Sequence, residues 1–120
     1  MRAVVIHPPH DLRVEDHPLV DPGPGQVRIA IRAGGICGSD LHYYQHGGFG
    51  TVRVKHPMVL GHEVAGVIDA VGPGVTGLAP GQAVAVNPSL PCGTCTFCQA
   101  GEQQHCLEMR FYGSAMRDPH

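Results

Sequence analysis

The chain has 120 residues, 42% hydrophobic and 15% charged, with eight Lys and Arg against ten Asp and Glu for a formal net charge of -2. That length fits one domain, and so balanced a surface lacks the basic field that nucleic acid or an anionic lipid requires of a partner. No run nears the ~20 apolar residues of a membrane span, and Pro8-Pro9 closes the first apolar run too early for a secretion signal, so a cytoplasmic location is expected.

Glycine (17) and proline (11) are abundant and scattered among Val and Ile runs, which predicts many short strands joined by tight turns. With three Tyr, three Phe and no Trp, an aliphatic core is expected. Residues 3–7 form a first predicted strand, and residues 12–15 return as its hairpin partner. After the turn cluster Asp21-Pro22-Gly23-Pro24-Gly25, residues 26–33 alternate, with Val27, Ile29, Ile31 and Ala33 on one face and Arg28 and Arg32 on the other. This is the period-2 pattern of a half-buried strand. Beyond Gly34-Gly35-Ile36-Cys37-Gly38, Ser39 or Asp40 is placed to cap a helix of one or two turns that Gly47-Gly48 ends. Residues 64–71 are nearly all apolar and predict a strand buried on both faces, as do residues 83–87.

Between those two strands, Gly72-Pro73-Gly74-Val75-Thr76-Gly77 has the spacing of a dinucleotide fingerprint. A fingerprint must open a helix whose amides hold a pyrophosphate. Here Pro80-Gly81 arrives first and no acidic residue stands about 20 positions on. The segment therefore reads as a glycine-rich turn.

Cys92, Cys95, Cys98 and Cys106 give C-x2-C-x2-C-x7-C among Pro91, Gly93 and Gly101. Two-residue gaps let a turning backbone aim successive thiolates at one ion, so a tetrahedral four-cysteine zinc site is the specific reading. Such a site is closed and doubly negative; it organises a loop and performs no chemistry. An iron–sulfur cluster is the competing reading, because ferredoxin-type runs share the two-residue gaps, although here the last gap is longer and Leu107 rather than Pro follows Cys106.

Cys37 lies alone in a glycine-flanked loop, and Gly61-His62-Glu63 is a polar island between apolar residues. Singly, each has a structural explanation, a small buried hydrophobe and a hydrogen-bonded loop histidine. Together, one thiolate, one imidazole and one carboxylate balance the charge of Zn(II) and leave a position open, as a Lewis-acid site requires. Spacing alone leaves both readings standing.

At these residues the sequence resembles the zinc-containing medium-chain alcohol and polyol dehydrogenases. Gly61-His62-Glu63-x2-Gly66-x5-Gly72-x2-Val75 is similar to that family's zinc signature, and Gly35-Ile36-Cys37-Gly38-Ser39-Asp40-Leu41-His42 to its first ligand loop. His42-Tyr43-Tyr44-Gln45, Asn87-Pro88-Ser89 and the stretch from Met109 to Met116 resemble the branch acting on sorbitol and L-idonate. The resemblance implies a mainly β, chaperonin-10-like (GroES-like) catalytic domain over residues 1–120, normally followed by a Rossmann domain for NAD or NADP, in an enzyme that is a homo-oligomer at full length. It implies two Zn(II) ions, a catalytic one on Cys37 and His62, with Glu63 a ligand in the polyol branch but a supporting residue behind the ligands in the alcohol branch, and a structural one on Cys92, Cys95, Cys98 and Cys106. Ser39 would take the substrate proton, His42 would pass it to solvent, and Tyr43 would line the polyol pocket. The implied reaction oxidises a secondary alcohol of a polyol or sugar acid, L-idonate to 5-dehydro-D-gluconate in the branch most resembled. Since no cofactor fingerprint is legible, the 120 residues are expected to be the catalytic part of a longer enzyme and inactive alone. The alternative is a non-enzymatic zinc-binding module that keeps the fold as an interaction surface.

Overall fold

A computed structural model describes residues 1–117. Asp118-Pro119-His120, where the sequence predicts no helix, lie outside the described residues. The architecture is mainly β. Strand β1 (Arg2–Ile6) pairs antiparallel with β2 (Leu12–Asp16) in the register Arg2↔Asp16 to Ile6↔Leu12, forming the expected hairpin. An eight-residue strand β3 (Val27–Gly34) leads to helix α1 (Gly38–His46). The chain continues through β4 (Gly48–Phe49), β5 (Val52–Arg53) and β6 (Met58–Val59), and β6 joins the outer side of β1. Strand β7 (Val64–Val71) lies between β3 and β8 (Ala83–Ala85), antiparallel to both. Strand β9 (Ser89–Leu90) pairs with β10 (Arg110–Phe111), and between them lies a cysteine-rich lobe with helix α2 (Thr96–Gln99) and a 3-10 turn, Gln103–His105. No helix among the described residues is long and apolar enough to cross a membrane.

Three expectations change on contact with this architecture. Strand β3 does not keep one clean apolar face, because the register slips against β7 between Arg28 and Ile29 and again between Ile31 and Ala33. Between the two shifts Ile29, Ala30 and Ile31 pair without interruption with Ile68, Val67 and Gly66, and Ile31, opposite a glycine with no side chain to pack against it, is left 54% exposed. Strands β7 and β8 are not buried on both faces: only Gly66 and Ile68 are buried in β7, and β8 is short and mostly exposed. Their apolar character reflects β-branched strand preference. The core is also not purely aliphatic. Tyr43 sits at its centre with no exposed surface, against Ile6, Met58 and Ala115, with Phe49, Val52, Val54 and Leu60 around them. The glycine-rich segment 72–77 is a turn between β7 and β8, as expected, and opens no helix.

Helix α1 begins at Cys37, in extended conformation, and not at Ser39 or Asp40. Asp40 instead occupies the third helical position, where its Oδ2 accepts the Cys37 N–H at 2.9 Å. That exchange is the carboxylate half of a capping box, and it satisfies an N–H that would otherwise be orphaned at the helix start. Gly47 ends the helix in the left-handed region, φ 70°, its N–H reaching back to the carbonyls of His42 and Tyr43.

Candidate metal centres

The antiparallel pairing of β3 and β7 brings Cys37 and His62 together. Gly34 is opposite Val64, so the loop after β3 and the loop before β7 leave the sheet side by side. The Gly35 N–H donates to the Glu63 carbonyl at 2.7 Å. Ligand atoms of Cys37, His62 and Glu63 consequently lie within 4.8 Å of one another, although 25 residues separate Cys37 from His62. His62 is buried, Cys37 half-buried and Glu63 exposed.

The surroundings fit a metal. Nδ1 of His62 and Oδ1 of Asp40 are both buried, have no hydrogen-bond partner, and stand 3.8 Å apart. Two orphaned buried polar atoms are costly unless the ring has a further role. A carboxylate facing Nδ1 at this distance favours the proton on that nitrogen and leaves Nε2 as a lone-pair donor, the usual support for a metal-bound histidine. The Phe111 ring meets the His62 ring edge-on at 5.3 Å and closes an apolar side. Asp40 is the functional residue that the sequence reading missed as such; its signal was an acidic residue three positions after a candidate ligand at a helix start.

Gly35 leaves room at this site for the Glu63 side chain. A Cβ there would lie 2.5 Å from Oε2 of Glu63 and 3.2 Å from its Cβ. Gly35→Ala should therefore push the Glu63 carboxylate out of the cluster. If Glu63 is a ligand, zinc affinity at this site should fall about tenfold, as for a lost ligand-positioning contact. Competition with a fluorescent chelator measures it; affinity unchanged in both Gly35→Ala and Glu63→Gln would remove Glu63 from the ligand set.

Ser39 is half-buried in the first turn of α1, two residues past Cys37. His42, three residues on and on the same side of the helix, is exposed. Tyr43 is a correction. Its hydroxyl lies 3.0 Å from Ser114 Oγ and accepts the Ala115 N–H at 2.9 Å, so the side chain tethers the 111–115 segment to α1 inside the core and does not face an open pocket.

The second centre forms within the lobe. Sulfurs of Cys92, Cys95, Cys98 and Cys106 lie within 4.8 Å of one another, and all four are free thiols. Backbone N–H groups are aimed at them: Cys106 Sγ accepts from Cys92 at 3.2 Å, and Cys92 Sγ from Cys95 at 3.3 Å and Thr94 at 3.4 Å. The Thr94 hydroxyl, then the Thr94 and Cys95 amides, hold the Cys92 thiol down to about 6. Amides of Cys98 and Leu107 lower Cys95 as well. Burial pushes Cys98 the other way, to about 12. A protonated buried thiol amid amides that stabilise thiolate is a mismatch that a dication at the centre resolves, since it deprotonates all four sulfurs together. The pattern therefore fits a closed, four-thiolate zinc centre.

The alcohol dehydrogenase GroES-like domain family matches residues 23–117. Sorbitol dehydrogenase of Gallus gallus is 52% identical over 99 residues, 82% of this chain and 28% of that protein. L-idonate 5-dehydrogenase (NAD(P)(+)) of Escherichia coli K12 is 52% identical over 92 residues, 77% of this chain and 26% of that protein. The crystal structure of the Escherichia coli L-idonate 5-dehydrogenase aligns with a TM-score of 0.89 and 43% identity, over 99% of this chain and 34% of that one. The chain thus spans about a quarter to a third of the length of these relatives. Its strands, its two ligand clusters and these matches together make it a member of the alcohol dehydrogenase GroES-like domain family, with a mainly β, GroES-like fold.

Proposed function

We propose that these residues are the metal-binding and proton-handling part of a dehydrogenase that oxidises a secondary alcohol of a polyol or sugar acid, with L-idonate as the substrate and NAD or NADP as the hydride acceptor. The observation that carries this reading is the grouping of Cys37, His62 and Glu63 with Asp40 behind the histidine. A scaffold module has use for the closed lobe but none for a second, charge-balanced cluster with fewer than four protein donors. The two relatives named above act, by their names, on sorbitol and L-idonate, both polyhydroxylated chains.

Cys37, His62 and Glu63 would hold the catalytic zinc, and Asp40 would fix the His62 tautomer. Zinc at this site supplies a Lewis acid that lowers the proton affinity of an alcohol oxygen. Ser39 is near enough in sequence to Cys37 to receive the alcohol proton at its hydroxyl. His42, one helical turn on and exposed, exchanges that proton with water, which is the exposure such a role needs. Phe111, against His62, excludes water from one side. The glycine-rich turn at 72–77 opens no helix for a pyrophosphate, and in this reading the nicotinamide is held by another part of the protein, a Rossmann domain.

The test has two arms. Joined to a nicotinamide-binding domain, the chain should oxidise L-idonate, and Ser39→Ala should lower turnover about 10²–10⁴-fold with zinc content unchanged. A loss under about threefold would remove Ser39 from the mechanism. By themselves the 120 residues should bind L-idonate or sorbitol without oxidising either; saturable NADH binding with turnover would contradict the assignment of the cofactor to another part of the protein.

A further inference from the structure

Helix α1 carries a pair of metal-capable side chains outside both cysteine-containing clusters. His42 and His46 are spaced i, i+4, which sets two side chains next to each other on a helix surface. Both are exposed, with ring centroids 6.0 Å apart and planes inclined at 33°. Phe49 flanks the pair, its ring 6.4 Å from that of His42. His46 is the last residue of α1, where the helix dipole favours a cation.

We propose that His42 and His46 form a two-imidazole site for a borderline divalent transition ion, Zn(II), Ni(II) or Cu(II), with water completing the coordination. The donor type decides the class of ion: imidazole nitrogen suits these metals, whereas Ca(II) and Mg(II) need oxygen ligands. No carboxylate joins the pair, since the groups of three or more metal-capable side chains among the described residues are the two clusters already described. The Arg53 guanidinium, bonded to the His46 carbonyl at 3.1 Å, adds positive charge nearby. The site is therefore weaker than either cysteine-containing centre and fills only when those are satisfied. Metal bonds of about 2.0–2.1 Å from both rings require the rings to swing toward each other, a motion open to exposed side chains. One consequence rests on the proposed function: if His42 is the proton exit, a metal on its lone pair blocks it, and excess zinc inhibits the enzyme.

Calorimetric titration of the zinc-loaded chain with further Zn(II) tests the site. His46→Gln removes one ligand and leaves His42 in place, while His10→Gln controls for binding by a single surface imidazole. The wild type and His10→Gln should each take up one more zinc than His46→Gln, with an affinity at least about tenfold above any residual binding in that variant. His46→Arg, whose cation suits a helix C-terminus, should show the same loss and guards against a folding defect peculiar to glutamine. Equal zinc uptake by the wild type and both His46 variants, or no additional zinc in the wild type, would overturn the proposal, as would equal heat with Mg(II). Binding of L-idonate is read separately, so a chain that takes the additional zinc but binds no polyol sinks the proposed function and leaves this site in place.

Discussion

Replacing Cys98 with Ser should unfold the cysteine lobe and leave the β-sheets intact. The lobe has almost nothing else to hold it. Its helix has four residues and its 3-10 turn three, far below the roughly 12–15 at which an isolated helix holds in water. Between Pro91 and Leu107 the buried residues are Cys98 and Cys106 themselves. With no apolar core, the free energy of ordering this segment has to come from the metal and its thiolates. Hydrogen exchange should show protection across residues 91–107 lost completely, strands β1, β3 and β7 retaining theirs, and zinc content falling by one per chain. Cys37→Ser makes the contrast. Serine is a better N-cap than cysteine, so α1 keeps its start and stability should change by less than about 1 kcal/mol while the other zinc is lost. Equal damage in the two variants, or greater damage at Cys37, would reverse the structural and catalytic assignments.

Asp40→Ala should weaken zinc at the Cys37 cluster by about 10–100-fold without touching the lobe. Two effects combine in this one carboxylate. Oδ2 holds the Cys37 N–H and thereby the first turn of α1, while Oδ1 is the polar group nearest His62 Nδ1. Alanine removes both, leaving the helix short of a capping partner worth about 1 kcal/mol and His62 free to adopt either tautomer. Asp40→Asn retains an acceptor for Cys37 but not the negative charge behind the imidazole, and should fall between. Chelator competition on the two variants reads the order. Affinity in Asp40→Ala equal to that of the wild type would show that the carboxylate serves the helix alone.

The parts of this molecule legible in its sequence are those governed by local spacing. The β1–β2 hairpin, the existence of β3 and the lobe follow from alternation, turn residues and two-residue cysteine gaps, all determined within stretches no longer than residues 2–16 or 92–106. The Cys37 cluster is different, because its members meet only through the Gly34↔Val64 register of two strands, and nothing local to either loop specifies that register. The resemblance of the two loops to a known family supplied what spacing could not. Asp40 read as a cap because half of what it does is capping. Tyr43 misled for a related reason: on a short helix with Asp40 and Tyr43 as its buried residues, a tyrosine can face a pocket or the core, and the choice is made by Ser114 and Ala115, about 70 residues away. The register shifts between β3 and β7 leave no mark that alternation can detect, and neither does the pairing of Ile31 with Gly66 that leaves it exposed.

The most direct test of the central claim is a count of the metals together with their ligands. Elemental analysis of the purified chain, dialysed free of loosely held ions, should find two zinc ions per chain and no iron. X-ray absorption at the zinc edge should show an average sulfur count between two and three per ion, the mean of a four-sulfur lobe and a one-sulfur site, with nitrogen or oxygen completing the latter. One zinc per chain with four sulfurs around it would mean that Cys37, His62 and Glu63 hold no metal, and the proposal that these residues are the metal-binding part of a dehydrogenase would be wrong.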